Sequence, residues 1–217
     1  MHEELADPKV SDQRQRPEEN APQAQSPARQ VLRLFIGIPL AATTATDLAT
    51  VVNRIRSNAT EYLRWSAPET WHITLQFLGS TTLRRYECVT AHLREERHPP
   101  IHIRLGALDT FDRAGVLFVD VPVTPELLAL QRAVTAATAP CGFTPETRPY
   151  HPHITLARRK GKGGERELRN LTSKTDPSQR FSSFTAESFV LYESIPTPAG
   201  SRYEIRESFP LHPGNDE

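Results

Sequence analysis

The sequence predicts an α+β protein built from two similar lobes, each an antiparallel sheet backed by helices, with a cleft between them. The tetrapeptide His-Ile-Thr-Leu occupies residues 72–75 and recurs at residues 153–156, 81 positions later. An apolar run at residues 34–40 is matched by a similar run at residues 117–123, 83 positions later. Two markers in the same order, at nearly the same spacing, indicate one structural unit used twice. A pseudo-two-fold arrangement of these units would bring equivalent residues together at the axis between the lobes.

Length and composition favour a single folded domain and exclude some function classes. The chain has 217 residues, 26 basic and 26 acidic side chains and a net charge of zero. Any attraction to nucleic acid must therefore be local, which argues against a general nucleic-acid binder. No apolar run reaches the length of about 20 residues that spans a bilayer, and no signal-peptide pattern opens the chain. We expect a soluble, cytoplasmic monomer without membrane contact.

The two ends of the chain differ in composition from the middle. Residues 1–30 carry prolines, glutamines and charges but almost no large apolar side chains. Such a segment cannot bury enough apolar surface to offset its chain entropy, so it is predicted to be a disordered tail. The folded domain is predicted to span residues 31–210, followed by a C-terminal tail at residues 211–217.

Hydrophobic periodicity predicts the elements of the first half. Residues 31–38 are almost continuously apolar, which is typical of a strand covered on both faces. Apolar residues at helical spacing and short β-rich runs follow. The predicted order is strand 31–38, helix 41–58, strand 62–65, motif strand 71–78 and helix 82–96.

The elements of the second half are predicted from the same kinds of signal. Thr124 followed by Pro125 is a helix-start signature, because a hydroxyl caps the first turn and proline suits its first position. A basic, glycine-containing stretch after the second motif is predicted to be a mobile loop and a candidate clamp for a nucleic-acid backbone. The predicted elements are strands 101–108 and 116–121 joined by a turn at 112–115, a helix from 124 to about 139, a motif strand from 153, the basic loop 158–169, and strands 184–192 and 202–209.

Alternation along each motif strand predicts which side chains face the cleft. In the first strand the core face would carry Trp71, Ile73, Leu75 and Phe77, and the cleft face His72, Thr74, Gln76 and Leu78. In the second strand the cleft face would carry His153, Thr155 and Ala157, and the core face Ile154 and Leu156. Each histidine would then have a threonine hydroxyl beside it.

Two histidine–threonine sets facing each other suit the in-line cleavage of a phosphodiester. Such a reaction needs a base for the nucleophile, an acid for the leaving oxygen and donors for the charge on phosphorus. The reference pKa of histidine, about 6.5, allows both proton roles near neutral pH. A single His-x-Thr in a strand is more often simple packing, and only the duplication favours catalysis.

Other interpretations of the histidines and cysteines carry less weight. His151 and His153 could share a strand face and bind zinc or iron, but no Asp, Glu or Cys cluster surrounds either motif, so no metal site is expected. His151 is instead expected to be a surface or packing residue. Cys88 and Cys141 lack paired or metal-type spacing and are predicted to be ordinary half-buried thiols.

The motifs resemble the paired signatures of a known superfamily. Residues 72–79, HITLQFLG, and residues 151–158, HPHITLAR, are similar to the two motifs of the two-histidine phosphoesterases. Within that superfamily the chain resembles the LigT-like RNA 2′,3′-cyclic phosphodiesterases, also called 2′-5′ RNA ligases. The resemblance extends to residues 33–39, 148–153 and 189–194, and it covers the chain from about 31 to 209.

The resemblance implies a fold, a reaction and roles for named residues. It implies a bilobed fold with a water-filled cleft, no metal and no cofactor. His72 would be the proton donor and His153 the proton acceptor, while Thr74 and Thr155 would stabilise the transition state. The substrates would be RNA ends or oligonucleotides with a 2′,3′-cyclic phosphate, opened to a 2′-phosphomonoester.

Three further residues are candidates for substrate contact. Arg158 matches a family arginine that contacts the phosphate. Strict alternation places it on the face opposite His153, so it reaches the cleft only if the strand ends or bulges before it. Arg159 has the right parity and is the alternative. Phe77 and Tyr150 complete the predicted substrate-binding set.

Three other functions remain open at this point. The chain could ligate or hydrolyse 2′-5′ linkages in RNA. It could be a non-catalytic nucleotide- or RNA-binding module that has kept the cleft. A zinc- or iron-dependent hydrolase that uses His151 and His153 is the third alternative.

Overall fold

The computed structural model describes residues 31–57, 59, 61–161, 165–173, 179–198 and 200–212. The predicted N-terminal tail and residues 213–217 lie outside the described residues. The described helices are α1 (Ala42–Arg56), α2 (Leu83–Glu95), α3 (Pro125–Thr138) and α4 (Glu165–Ser173). None of these four is both long enough and apolar enough to cross a membrane.

The strands form two four-stranded antiparallel sheets and a two-stranded one. The first sheet has the order β10-β9-β1-β3, the second β2-β7-β6-β5, and the third pairs β4 with β8. Their bounds are β1 (Val31–Pro39), β2 (Leu63–Trp65), β3 (His72–Thr82), β4 (Ile101–Ile103), β5 (Leu108–Phe111), β6 (Val116–Asp120), β7 (His153–Arg159), β8 (Phe184–Ala186), β9 (Ser188–Thr197) and β10 (Gly200–Pro210). The predicted bilobed α+β architecture is confirmed, with one motif strand in each large sheet.

Local sequence explains where the helices begin. The Thr82 hydroxyl accepts a hydrogen bond from the Arg85 amide at the start of α2. The Thr124 hydroxyl accepts one from the Leu127 amide, with Pro125 at the first helical position of α3. Both hydroxyls satisfy amides that have no partner inside their helix. The helix start predicted at Thr124 is therefore confirmed.

A large apolar cluster of the described residues connects the two lobes. Ile73 of β3 and Ile154 of β7 are both fully buried in one cluster that also includes residues of α1, α2 and α3. Burying apolar side chains of this size contributes about 1.5–3 kcal/mol each. The motif strands are therefore anchored through their core faces, which fixes the opposite faces relative to each other.

The strand register shows how the two halves correspond. Pro39 of β1 lies opposite His72, and Asp120 of β6 lies opposite His153. Pro39 and Asp120 are 81 positions apart, as the two histidines are. The similarity of the apolar runs instead suggests an offset of 83 positions between the two halves. The difference of two residues preserves the side-chain faces, because a strand alternates with a period of two.

Beta-bulges at matching positions interrupt both motif strands. In β3 the pairing with β1 skips Leu75 and later Leu78, and in β7 the pairing with β6 skips Leu156. An extra residue reverses the alternation that follows it. The leucine after each His-x-Thr therefore flips the faces of the residues that come next in its strand.

The bulges overturn part of the predicted alternation. Phe77, which was assigned to the core face, has 61% of its surface exposed. Gln76, assigned to the cleft face, is buried and accepts a hydrogen bond from the Thr138 hydroxyl of α3. Leu78 and Ala157, assigned to the cleft faces, are buried in the core. The predicted alternation of side-chain faces is therefore correct only as far as the first bulge in each motif strand.

Three element boundaries also differ from the sequence predictions. The predicted strand 101–108 is divided between β4 and β5, which belong to different sheets. The predicted basic loop contains the end of β7 and, from Glu165, helix α4. Packing continues past the predicted domain end at 210, since Leu211 is buried and its amide donates to the Glu187 carbonyl.

The prediction that the cysteines are free thiols is wrong. Cys88 of α2 and Cys141, in the turn after α3, form a disulfide across 53 positions. Arg85 reinforces the same junction by donating to the carbonyls of Cys141 and Gly142. Sequence spacing could not show this, because the two positions meet only through the packing of α2 against α3.

We expect reduction of the disulfide to lower the free energy of unfolding by about 2–4 kcal/mol, because opening a loop of this size restores freedom to the unfolded chain. Urea unfolding with and without dithiothreitol measures the difference. A double variant, Cys88→Ala with Cys141→Ala, serves as the control and should unfold identically in both conditions. Equal stability of the unaltered protein with and without the reductant would contradict the expectation.

Candidate active site

The two motif strands contribute to one cleft between the large sheets. It has a volume of about 530 Å³, and His72, Thr74, His153 and Thr155 all line it. The four residues predicted to be catalytic are therefore brought together. Among the residues that the structure describes, neither threonine hydroxyl forms a hydrogen bond within the protein. Both hydroxyls are thus available to a ligand in the cleft.

A main-chain carbonyl two residues upstream orients each histidine. Nδ1 of His72 lies 2.7 Å from the Thr70 carbonyl oxygen, and Nδ1 of His153 lies 2.8 Å from that of His151. A carbonyl only accepts, so each Nδ1 must carry a proton and donate it. The lone pair of each neutral ring is then on Nε2. Both histidines therefore present the same nitrogen for proton transfer.

Aromatic rings hold the two imidazoles from the side. The ring of Phe35 lies 4.6 Å from that of His72, and Tyr203 lies 5.2 Å away, edge-on. On the other side of the cleft, Phe111 and Phe118 lie 5.0 and 5.2 Å from His153. Packing of this kind limits ring rotation, which keeps each Nε2 in place.

Gly37 makes room for His72. A Cβ at this position would lie 2.8 Å from the Ile73 carbonyl oxygen and 3.4 Å from Cδ2 of His72. The first of these distances is shorter than real Cβ contacts. Any larger residue at position 37 would push the motif strand and its histidine out of place.

Burial lowers the pKa of both histidines. The pKa of His72 falls to about 4, chiefly because desolvation disfavours the charged ring. The hydrogen bond to Thr70 acts in the opposite direction, and the charges of His153 and Arg158 lower the pKa further. Burial likewise lowers the pKa of His153, with smaller effects from His151, Arg158 and Asp120. Both rings are therefore neutral at pH 7 when no anion is bound.

The surroundings of the two histidines differ in charge. Asp120 lies opposite His153 and raises its pKa, against the larger effect of burial. The same carboxylate lies 3.0 Å from Nε2 of His151. Pro39 occupies the equivalent position beside His72 and provides no charge. The second motif therefore has a nearby negative charge that the first motif lacks at the equivalent position.

Arg158 lines the cleft, and Arg159 does not. The bulge at Leu156 places Arg158 on the same face as His153, because an extra residue turns the residues that follow it to the opposite face. The side chain of Arg159 is instead directed towards Gly115, where a Cβ would lie 2.8 Å from that of Arg159. No ion-pair partner of Arg158 occurs within the described ranges.

The other two predicted substrate-binding residues occupy different places. Phe77 lines the cleft, two positions beyond the bulge of the first motif, as Arg158 is in the second. Tyr150 is outside the cleft lining, and its hydroxyl donates to the Thr74 carbonyl at 3.0 Å. That bond joins the approach to the second motif to the first motif strand. Its geometry favours a positioning role over direct contact with substrate.

The described residues that could approach a metal together lie outside the cleft. In the described part of the chain, no group of three adjacent His, Cys, Asp or Glu side chains includes His72 or His153. One such group, Cys88, His92 and Cys141, occurs at the junction of α2 and α3. Its two sulfurs are bonded to each other, so neither is a thiolate ligand.

Sequence reasoning missed several residues that line the cleft. They include Arg33, Tyr203 and two serines, Ser194 and Ser201. A signal was present for Arg33, since it precedes Phe35 by two residues and so shares its face of β1. Ser194 lies in the segment 189–194 that carries part of the family resemblance, whereas no such signal existed for Ser201 and Tyr203 of β10.

Comparisons with known proteins identify the family of the chain. Residues 44–195, well over half of the chain, match the model of the 2′-5′ RNA ligase superfamily. A Bacillus subtilis (strain 168) relative named RNA 2′,3′-cyclic phosphodiesterase is 32% identical over 133 residues, 58% of this chain and 70% of the relative. A protein of the same name from Aquifex aeolicus (strain VF5) is 27% identical over 191 residues, 84% of this chain and 98% of the relative.

Solved structures share the fold. The protein TT0787 of Thermus thermophilus superposes with a TM-score of 0.69 at 24% identity, covering 83% of this chain and 98% of that one. Apo LigT of E. coli gives a TM-score of 0.66 at 24% identity, again covering 83% and 98%. The matched sequence range and the shared bilobed fold lead to one conclusion: the chain belongs to the 2′-5′ RNA ligase superfamily and has the LigT-like two-histidine phosphoesterase fold.

Proposed function

We propose that the protein is an RNA 2′,3′-cyclic phosphodiesterase that opens a terminal cyclic phosphate to a 2′-phosphomonoester by acid–base catalysis with two histidines. The observation that carries this proposal is that both His-x-Thr sets and Arg158 line one cleft. The relatives from Bacillus subtilis and Aquifex aeolicus, both named RNA 2′,3′-cyclic phosphodiesterase, support this substrate class.

Two proton transfers accompany the displacement at phosphorus. Nε2 of His153 takes a proton from water as the water oxygen bonds to phosphorus. The bond from phosphorus to O3′ breaks, and protonated His72 gives the proton on its Nε2 to O3′. Each transfer by a positioned histidine contributes on the order of 100- to 10,000-fold in rate. The fixed Nδ1 hydrogen bonds make both Nε2 atoms available for these steps.

The remaining polar groups stabilise charge on the phosphoryl oxygens. The hydroxyls of Thr74 and Thr155 donate to non-bridging oxygens, one from each lobe. Arg158 adds a positive charge that is not neutralised by a carboxylate in the described cleft lining. The bound anion also reverses the effect of burial on the histidines, because a negative neighbour raises the pKa of an imidazole. Substrate binding therefore helps His72 acquire the proton that it must donate.

We expect His72→Ala and His153→Ala each to reduce kcat on a 2′,3′-cyclic nucleotide to below about 1% of the original value, because each removes one proton-transfer group. Circular dichroism checks that the fold is retained, and His102→Ala, at an exposed position of β4, is the matched control. EDTA should leave activity unchanged. Loss of activity on chelation would falsify the mechanism, and a 3′-phosphate product would contradict the bond assigned to cleavage.

We expect kcat/KM to peak below pH 6.5 and to fall about tenfold per pH unit on the alkaline side. Both histidine pKa values lie below the ordinary value, so the free enzyme loses its catalytic proton at lower pH than an exposed histidine would. Arg158→Gln should move the profile to higher pH, since its charge lowers both pKa values, while raising KM. A maximum above pH 7, or an unmoved profile in the variant, would contradict this account.

A further inference from the structure

The cleft continues beyond the catalytic histidines along the first sheet. Arg33 of β1, Ser194 of β9, and Ser201 and Tyr203 of β10 line this extension. None of them contributes to the proton transfers or contacts assigned above to the cyclic phosphate. The polar side chains of the extension are therefore available to a second group of the ligand. Their charge and hydrogen-bonding capacity indicate which chemical group would bind there.

Strand geometry places Arg33 on the same face of β1 as a ring that packs against His72. Arg33 and Phe35 share one face of β1 and are about 6.6 Å apart along the strand. The Phe35 ring lies 4.6 Å from the His72 ring. Arg33 therefore lies one strand repeat beyond a residue whose ring packs against the proton donor.

Neighbouring strands place hydroxyls beside Arg33. Ser80 of β3 lies directly opposite Arg33. On the other side, Leu34 lies opposite Glu193, so Ser194 is next to Arg33 on the same face. Ser194 lies in turn opposite Tyr203 of β10. A row of a guanidinium and hydroxyl groups thus runs across the sheet.

Among the described residues that line the extension, the charge is positive. No Asp or Glu occurs among the described residues that line the cleft. On the neighbouring strands, Glu193 and Glu204 alternate to the opposite face of the sheet, where they form ion pairs with Arg206 and Arg202, respectively. Arg33 itself has no ion-pair partner within the described ranges. A free guanidinium beside hydroxyl donors is suited to a phosphate group.

An aromatic surface separates the two cationic ends of the cleft. Phe77, Phe35 and Tyr192 lie opposite one another on β3, β1 and β9. Of these, Phe77 is the exposed ring, and Tyr203 is part of the same cleft lining. Exposed rings in a nucleic-acid cleft provide faces on which a base can stack, worth about 1–3 kcal/mol for each base. Arg158, the aromatic rings and Arg33 thus succeed one another along the cleft.

We propose that Arg33, with Ser194 and Ser201, binds the phosphodiester immediately upstream of the terminal cyclic phosphate. This inference rests on the proposed function and narrows its substrate class. The terminal nucleoside lies over the aromatic rings, between the reacting phosphate at Arg158 and the upstream phosphate at Arg33. The substrates are accordingly RNA 3′ ends of at least two nucleotides, in preference to cyclic mononucleotides.

The test compares three substrates that differ only upstream of the cyclic phosphate. They are adenosine 2′,3′-cyclic phosphate, the adenosine dinucleotide ending in the same cyclic phosphate, and that dinucleotide with an uncharged methylphosphonate linkage. We expect the unaltered enzyme to show the highest kcat/KM on the charged dinucleotide. Arg33→Gln should reduce that value about 10- to 100-fold, as loss of a charged hydrogen bond does, and leave the cyclic mononucleotide unaffected.

Arg113→Gln is the matched control, because it removes the same charge from an exposed turn outside the cleft. It should not change the ranking of the three substrates. Equal losses in Arg33→Gln on all three substrates, or no loss on any, would overturn the upstream phosphate site. Failure of the unaltered enzyme to open any of them would instead refute the proposed function, so the two failures are distinguishable.

Discussion

The hydrogen bond from each histidine Nδ1 to the carbonyl two residues upstream is the constraint on which the chemistry depends. Because the acceptor is main chain, each ring's orientation follows from the backbone at the start of its motif strand. Thr70 and His151 supply these carbonyls. Their side chains play no part in the bonds, so sequence similarity at those positions is not required. A repeated backbone arrangement thus produces two proton-transfer nitrogens of the same tautomer.

How much of this site could be predicted depends on whether the signal was local. His72, Thr74, His153 and Thr155 could be assigned because residues two apart share a strand face. Phe77 and Gln76 were assigned to the wrong faces because a bulge depends on pairing with the neighbouring strand. The sequence of a strand does not by itself determine how that strand pairs with its neighbour. The disulfide and the β9–β10 contribution were missed for the same reason, since both depend on contacts between distant segments.

The two halves keep one scaffold and differ in the side chains placed on it. After the matching bulges at Leu75 and Leu156, the first motif directs Phe77 into the cleft and the second directs Arg158. An aromatic ring suits a nucleoside, and a guanidinium suits a phosphate. The duplicated unit therefore gives a cleft with distinct ends. This difference between the ends is compatible with the opposite proton roles that the proposed mechanism gives to two histidines of equivalent geometry.

Charge in the cleft suits the binding of an anion and contributes to the lowered pKa of both histidines. The chain is neutral overall, yet the described lining of the cleft contains arginines and no carboxylate. Burial and the charge of Arg158 disfavour protonated histidine when no anion is bound. A phosphodiester supplies the missing negative charge, and the free energy that it gains there includes the interaction with a newly protonated ring. Binding and protonation are consequently linked, so an anionic ligand and a proton each promote the uptake of the other.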